Sequence, residues 1–157
     1  MKEASKAAMA RTNEERRRIL CAQHGHLRQT VAATQQAARA LLAGRGSVAD
    51  LQAAIEALEG ELRAHLADEE RLLEPILATI DAWGPVRLEL LRAEHAHQRA
   101  VLAALSGPTA SPTAPLVAER MLSLCADVLN DMESEERELL NEKVFRDDLV
   151  LLDASDC

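Results

Sequence analysis

Six residues in this sequence have the types and spacing of metal ligands: His24, His65, Glu69, His95, Asp131 and Glu135. His65 and Glu69 stand four apart, as do Asp131 and Glu135, so on a helix each pair leaves from one face about one turn apart. Imidazole together with carboxylate suits iron, manganese or zinc. No cysteine stands among the six, which speaks against an iron–sulfur cluster or a closed structural zinc site. Six side chains exceed what one tetrahedral ion takes. They are enough for two ions bridged by carboxylates, with Glu69 and Glu135 as the symmetric bridges and open positions left for a small ligand.

The elements that must position these groups are amphipathic helices. Leu51, Ile55, Leu58, Leu62, His65, Glu69, Leu72 and Ile76 recur at alternating spacings of four and three, the inward seam of a bundle helix. His24 interrupts a second seam of Leu20, Leu27, Val31, Thr34, Ala38 and Leu41. His95 and Gln98 interrupt a third, of Leu88, Leu91, Leu102 and Leu105. Asp131 and Glu135 interrupt a fourth, of Val117, Met121, Leu124, Val128 and Leu139. An unpaired charge on such a stripe costs several kcal/mol, so something must compensate it. Metal is one answer; a polar layer that fixes helix register through buried hydrogen bonds is the other.

The helix limits follow from local signals. Thr12 with Glu15 and Ser47 with Asp50 read as helix starts, Gly44-Arg45-Gly46 ends the first helix, and the second runs to about Ile80. Gly60 weakens that second helix, and Pro75 should kink its last turns. Pro85 suits the first position of the third helix, and the stretch Gly107 to Pro115 reads as a loop before the fourth. Four such segments on short connections predict an all-α, antiparallel up-down-up-down four-helix bundle over residues 12–146, between a lead-in, 1–11, and a C-terminal tail, 147–157. His24 lies twenty residues before Gly44 and His65 nineteen after Gly46, so the two sit at nearly equal height across that hairpin.

The chain also repeats itself. His24-Gly-His26-Leu-Arg28 matches His95-Ala-His97-Gln-Arg99, and His65 through Arg71 matches Asp131 through Arg137, so two copies of a helical hairpin face each other. His26 and His97 fall about 200° round the helix from the proposed ligands and read as exposed. Arg28, Arg71, Arg99 and Arg137 are expected to pair at the surface with Asp68, Glu70, Glu133 and Glu136, where such pairs are worth little. Gln98, one turn from His95 on the inward stripe, is expected to hydrogen-bond behind the ligands.

These motifs resemble the hemerythrin-like, or HHE cation-binding, domains, whose pattern is a His on the first helix, H-x-x-x-E on the second, a His on the third and H-x-x-x-E on the fourth. His24, His65 with Glu69, and His95 match three elements as they stand, within a likeness spanning residues 13–145; in the fourth, Asp131 replaces His and Glu135 matches. The resemblance implies a non-haem di-iron site that binds, senses or reacts with dioxygen, peroxide or nitric oxide. In oxygen-carrying members the third helix supplies a second His where this chain has Arg99. A carboxylate in place of a neutral imidazole adds negative charge and favours the higher oxidation state, so the site looks less like a reversible carrier. A di-iron peroxidase or oxidase is the enzyme alternative; a single-metal or metal-free helical interaction module is the other.

Composition narrows the partners. The net charge of −8 argues against nucleic acid, and the one basic run, Arg16-Arg17-Arg18, follows Glu14-Glu15 and reads as a solvated helix face. With one Trp, one Phe and no Tyr there is no hint of a stacking pocket for a large organic substrate. No signal-peptide core and no apolar run of spanning length is present, so no membrane is expected and a cytoplasmic protein is the default. Cys21, Cys125 and Cys157 form no C-x-x-C pair and read as reduced thiols, with Cys21 a small buried hydrophobe.

Overall fold

A computed structural model describes residues 12–106, 113–141 and 143–145. Four helices make the bundle: α1 (Asn13–Leu42), α2 (Val48–Ile80), α3 (Gly84–Ser106) and α4 (Ala114–Glu138). α1 packs between α2 and α4, and α3 completes the ring, in up-down-up-down order. The sequences 1–11 and 147–157, read above as lead-in and tail, lie outside the described residues, as does 107–112. Among the described residues no helix is long and apolar enough to cross a membrane.

The helix starts are set by side chains that satisfy the first free backbone amides. Thr12 accepts from the Glu15 amide while Glu15 accepts from the Thr12 amide, and Ser47 and Asp50 repeat the arrangement on α2. Gly44, at φ 68°, closes α1 in the left-handed region that favours glycine. At the α2–α3 corner a Cβ on Gly84 would lie 1.7 Å from the Leu77 carbonyl oxygen, so only glycine allows so close an approach. α4 begins at Ala114, earlier than the loop expected through Pro115, because a proline in the first turn forfeits no intrahelical hydrogen bond. α2 continues through Pro75 to Ile80.

The inward stripes are buried as their spacing dictates, but the core is wider than they are. Leu66, Leu73 and Leu77 on α2 and Ala118, Cys125 and Met132 on α4 are buried beside them. Two apolar clusters result. One gathers Leu27, Val31, Leu58, Leu62, Met121 and Leu124; the other gathers Leu20, Leu73, Leu77 and Leu88 and is closed by Leu140 and Phe145 from the turn after α4. Along the chain His24, Glu69, His95, Gln98 and Glu135 fall between the residues of these two clusters, and His65 and Asp131 stand one residue inside the edge of the first. A buried polar residue on a stripe can be satisfied by backbone alone: Thr34 donates to the Thr30 carbonyl at 2.9 Å. The layer between the clusters is not satisfied in that way.

Candidate metal centre

Each helix delivers its polar residues to this layer. One donor atom from each of His24, His65, Glu69 and Glu135 lies within 4.8 Å of the others, and a second group of the same tightness joins His95, Asp131 and Glu135. All six sequence-selected residues are therefore brought together, with Glu135 common to both groups. Glu69 also reaches across: its Oε2 is 3.4 Å from Nε2 of both His65 and His95, one imidazole from each hairpin. Nε2 of His24 is 3.4 Å from Oε2 of Glu135, and the rings of His24 and His65 meet edge to face at 4.9 Å. His24, Glu69 and His95 are fully buried, whereas Asp131 is half-buried.

The outer nitrogens decide the tautomers. Nδ1 of His24 faces Oε1 of Glu136 at 2.9 Å, Nδ1 of His95 faces Oε1 of Glu70 at 2.9 Å, and Nδ1 of His65 faces Oε1 of Gln23 at 3.0 Å. Carboxylate and amide oxygens can only accept, so Nδ1 donates in every case. In a neutral imidazole the lone pair is then on Nε2, turned into the layer. Arg28 and Arg99 stand behind two of these contacts, each 2.8 Å from the carboxylate it anchors, Glu136 and Glu70 respectively. Gln23 in turn donates to Asp68 at 2.8 Å.

Inward-facing lone pairs beside inward-facing carboxylates are mutually unfavourable. Nε2 of His24 and of His95, both carboxylate oxygens of Glu69, Oε1 of Glu135 and Oε1 of Gln98 are buried without a hydrogen-bond partner. A separation of 3.4 Å is long for a hydrogen bond. It is close to the spacing of two ligands bound tetrahedrally to one ion at about 2.1 Å. The donor set, its tautomers and its orphaned atoms thus fit a metal ion and leave a purely hydrogen-bonded layer unsatisfied.

The metal-free electrostatics tell the same story. Burial opposes ionisation of Glu69, but its contacts with His65 and His95 outweigh that and hold its carboxyl down at about 2. Burial and the negative charges of Glu69 and Asp131 push Glu135 up to about 11, and burial together with Glu94 pushes Asp131 up to about 6. Burial also lowers His24, while at His95 the Glu69 and Glu70 carboxylates overcome burial and raise it. Glu69 and Glu135 cannot both ionise without a cation between them, so in the metal-free chain Glu135 keeps its proton.

Several expectations need adjusting. Arg28 and Arg99 do pair with Glu136 and Glu70 as expected, but these half-exposed pairs also form the rear support of His24 and His95. Arg71 does pair with Asp68, at 2.7 Å, but Arg137 contacts Glu138, at 3.0 Å, instead of Glu133 or Glu136. Gln98 fulfils its expected role by donating to Oδ2 of Asp131 at 2.8 Å. Gln23 was not singled out by sequence; its place immediately before His24 was the available signal. His26 and His97 are exposed. Cys21 is half-buried instead of buried, and burial raises both its thiol and that of Cys125, the latter to about 11.

Comparison with known families returns one finding: the model for the hemerythrin HHE cation binding domain matches residues 17–144, a span containing all six layer residues. No curated protein and no solved structure matches the chain.

Proposed function

This chain belongs to the hemerythrin HHE cation-binding domain family, and on that premise we propose that it is a non-haem di-iron protein that binds, senses or reacts with dioxygen, peroxide or nitric oxide. The observation that carries the reading is the set of buried, unpartnered ligand atoms turned into one layer from four helices. His24, His65, His95, Asp131, Glu69 and Glu135 would hold the metal, with Glu69 and Glu135 the carboxylates that face ligands of both hairpins. Bound iron would supply a redox couple and a free position for a small ligand.

The chain's own residues do the rest. Glu136, Glu70 and Gln23 hold the three imidazoles in the tautomer that offers Nε2. The aliphatic clusters on either side keep water from His24, Glu69 and His95, which are fully buried. Asp131 adds a negative charge that a histidine would not, which lowers the potential and favours reaction with an oxidant over reversible carriage.

Iron is the favoured ion, with manganese or zinc as the other metals the donor set accepts. The test is iron content after anaerobic reconstitution with ferrous ion, followed by the absorption spectrum in air. About two irons per chain with near-ultraviolet charge-transfer bands is the expected result; no iron in a folded chain overturns the reading. The half-exposure of Asp131 favours one competing reading, a single ion held by His24, His65, Glu69 and Glu135, which predicts one iron per chain. Repeated turnover of peroxide with the site regenerated would mark a peroxidase or oxidase instead of a binder.

A further inference from the structure

The two halves of the repeat differ where they meet solvent. Gln23 and Glu94 occupy equivalent positions, one residue before His24 and His95. In the first half the Gln23 amide accepts from His65 and donates to Asp68, and the hollow beside it holds about 330 Å³. In the second half Asp131 stands in place of His65 and Glu94 in place of Gln23. The charge of the Glu94 carboxylate acts on the Asp131 carboxyl. Both line an open cleft of about 700 Å³ between the end of α2, α3 and α4, which also reaches Glu135.

The cleft is acidic on balance, with Asp81, Glu94, Asp131, Glu135 and Glu138 against Arg87, Arg137 and Lys143. Arg87 is held by Asp81 at 2.9 Å and Arg137 by Glu138 at 3.0 Å. Among the described residues no lysine or arginine forms an ion pair with Glu94, Asp131 or Glu135. Oε1 of Glu135, a side chain only 4% exposed, has no hydrogen-bond partner. Two carboxylates at the mouth, with a buried unpartnered third behind them, are complementary to a divalent cation.

We propose that Glu94 and Asp131 form an entry site for divalent cations, and that the His95, Asp131 and Glu135 half of the centre is therefore its exchangeable half. Glu94, the exposed member, meets the ion first, and Asp131, half-buried, connects it to His95 and Glu135. The other half, His24, His65 and Glu69 with Glu135, opens on a hollow whose one carboxylate, Glu61, already accepts from Thr30 at 2.6 Å, and whose Gln23 is neutral and engaged. The inference rests on the metal-centre reading above.

The test is stopped-flow loading of the metal-free full chain with cobalt(II), followed by its visible absorption, and then release to excess chelator. Two ions are expected to enter, and one is expected to leave at least about ten-fold faster than the other. Glu94→Gln should slow uptake of one ion by about ten-fold, the lower end of what local electrostatic steering provides, while two ions still bind at saturation. Glu94→Asp should restore the rate, and Glu56→Gln, the same charge change on an exposed part of α2, should leave it unaltered. Wild-type rates in Glu94→Gln would overturn the entry site alone. Two ions leaving at one rate, or one ion only, would overturn the division into halves, and no cobalt(II) bound would overturn the metal-centre reading itself.

Discussion

Replacing Glu135 by Gln should stabilise the metal-free protein while removing most of its stabilisation by metal. The carboxyl sits at about 11 in the folded chain against an ordinary 4.5, with burial the first cause and the charges of Glu69 and Asp131 the next. At pH 7 the unfolded chain is ionised at this position and the folded chain is protonated, so folding must take up a proton. That uptake costs about 1.4 kcal/mol for each pH unit above 4.5, or about 3 kcal/mol at pH 7. The figure holds for any folded value above 7. The sign is that of a raised carboxyl: stability is greatest below 4.5 and falls as pH rises towards the folded value. Gln has no proton to take up. Urea unfolding with chelator present, between about pH 5 and 8, should therefore show the variant's advantage growing by about 1.4 kcal/mol per pH unit. A variant no more stable than wild type at pH 7, or an advantage independent of pH, would refute this account of the layer. In the presence of metal the order should reverse, because an ion at a thousand times its dissociation constant adds about 4 kcal/mol that the variant cannot collect.

Other outcomes follow from the same geometry. His65→Leu should destabilise the chelated protein, since it removes one of the two imidazoles that hold the buried Glu69 charge and the donor to Gln23, and metal content should fall by at least one ion, as read by elemental analysis. Glu70→Gln and Glu136→Gln should each weaken metal binding by about 10- to 100-fold in chelator competition while the helical circular dichroism is retained, because each removes the charged acceptor behind an imidazole. Metal binding should release protons at pH 7, chiefly from Glu135, so calorimetric heats should vary with the ionisation enthalpy of the buffer and affinity should rise with pH. Gly84→Ala should lower the melting temperature of the metal-free and metal-loaded forms alike, since its Cβ collides with the Leu77 carbonyl and touches nothing in the layer.

Sequence spacing carried much of this. The four inward stripes, both side-chain caps and the six layer residues follow from periodicity and local chemistry, because an α-helix fixes which residues share a face. What spacing does not carry is the identity of the neighbour across a helix boundary. Glu70 and Glu136 are each one residue past a layer carboxylate, about 100° round the helix, and look solvent-facing from their own helix alone. Only the packing of α2 beside α3 and of α1 beside α4 shows that they reach the imidazoles of His95 and His24. The same holds for Met132 and Cys125, which a narrow seam leaves outside but a helix wedged between neighbours buries. The open cleft at Asp131 was invisible for a related reason, since the sequence marks an acid in place of a histidine but not how far α3 and α4 stand apart.

The rear supports have a consequence for the repeat. His24 belongs to the first hairpin and its carboxylate, Glu136, to the second; His95 belongs to the second and its carboxylate, Glu70, to the first. Each hairpin thus lends the other the group that keeps its first imidazole in register and in the right tautomer. Neither hairpin is a half-site that could mature alone. Docking of the two is what makes His24 and His95 competent, so quaternary-style interlocking has been written into a single chain. Metal affinity therefore reports directly on whether the two hairpins are seated against each other.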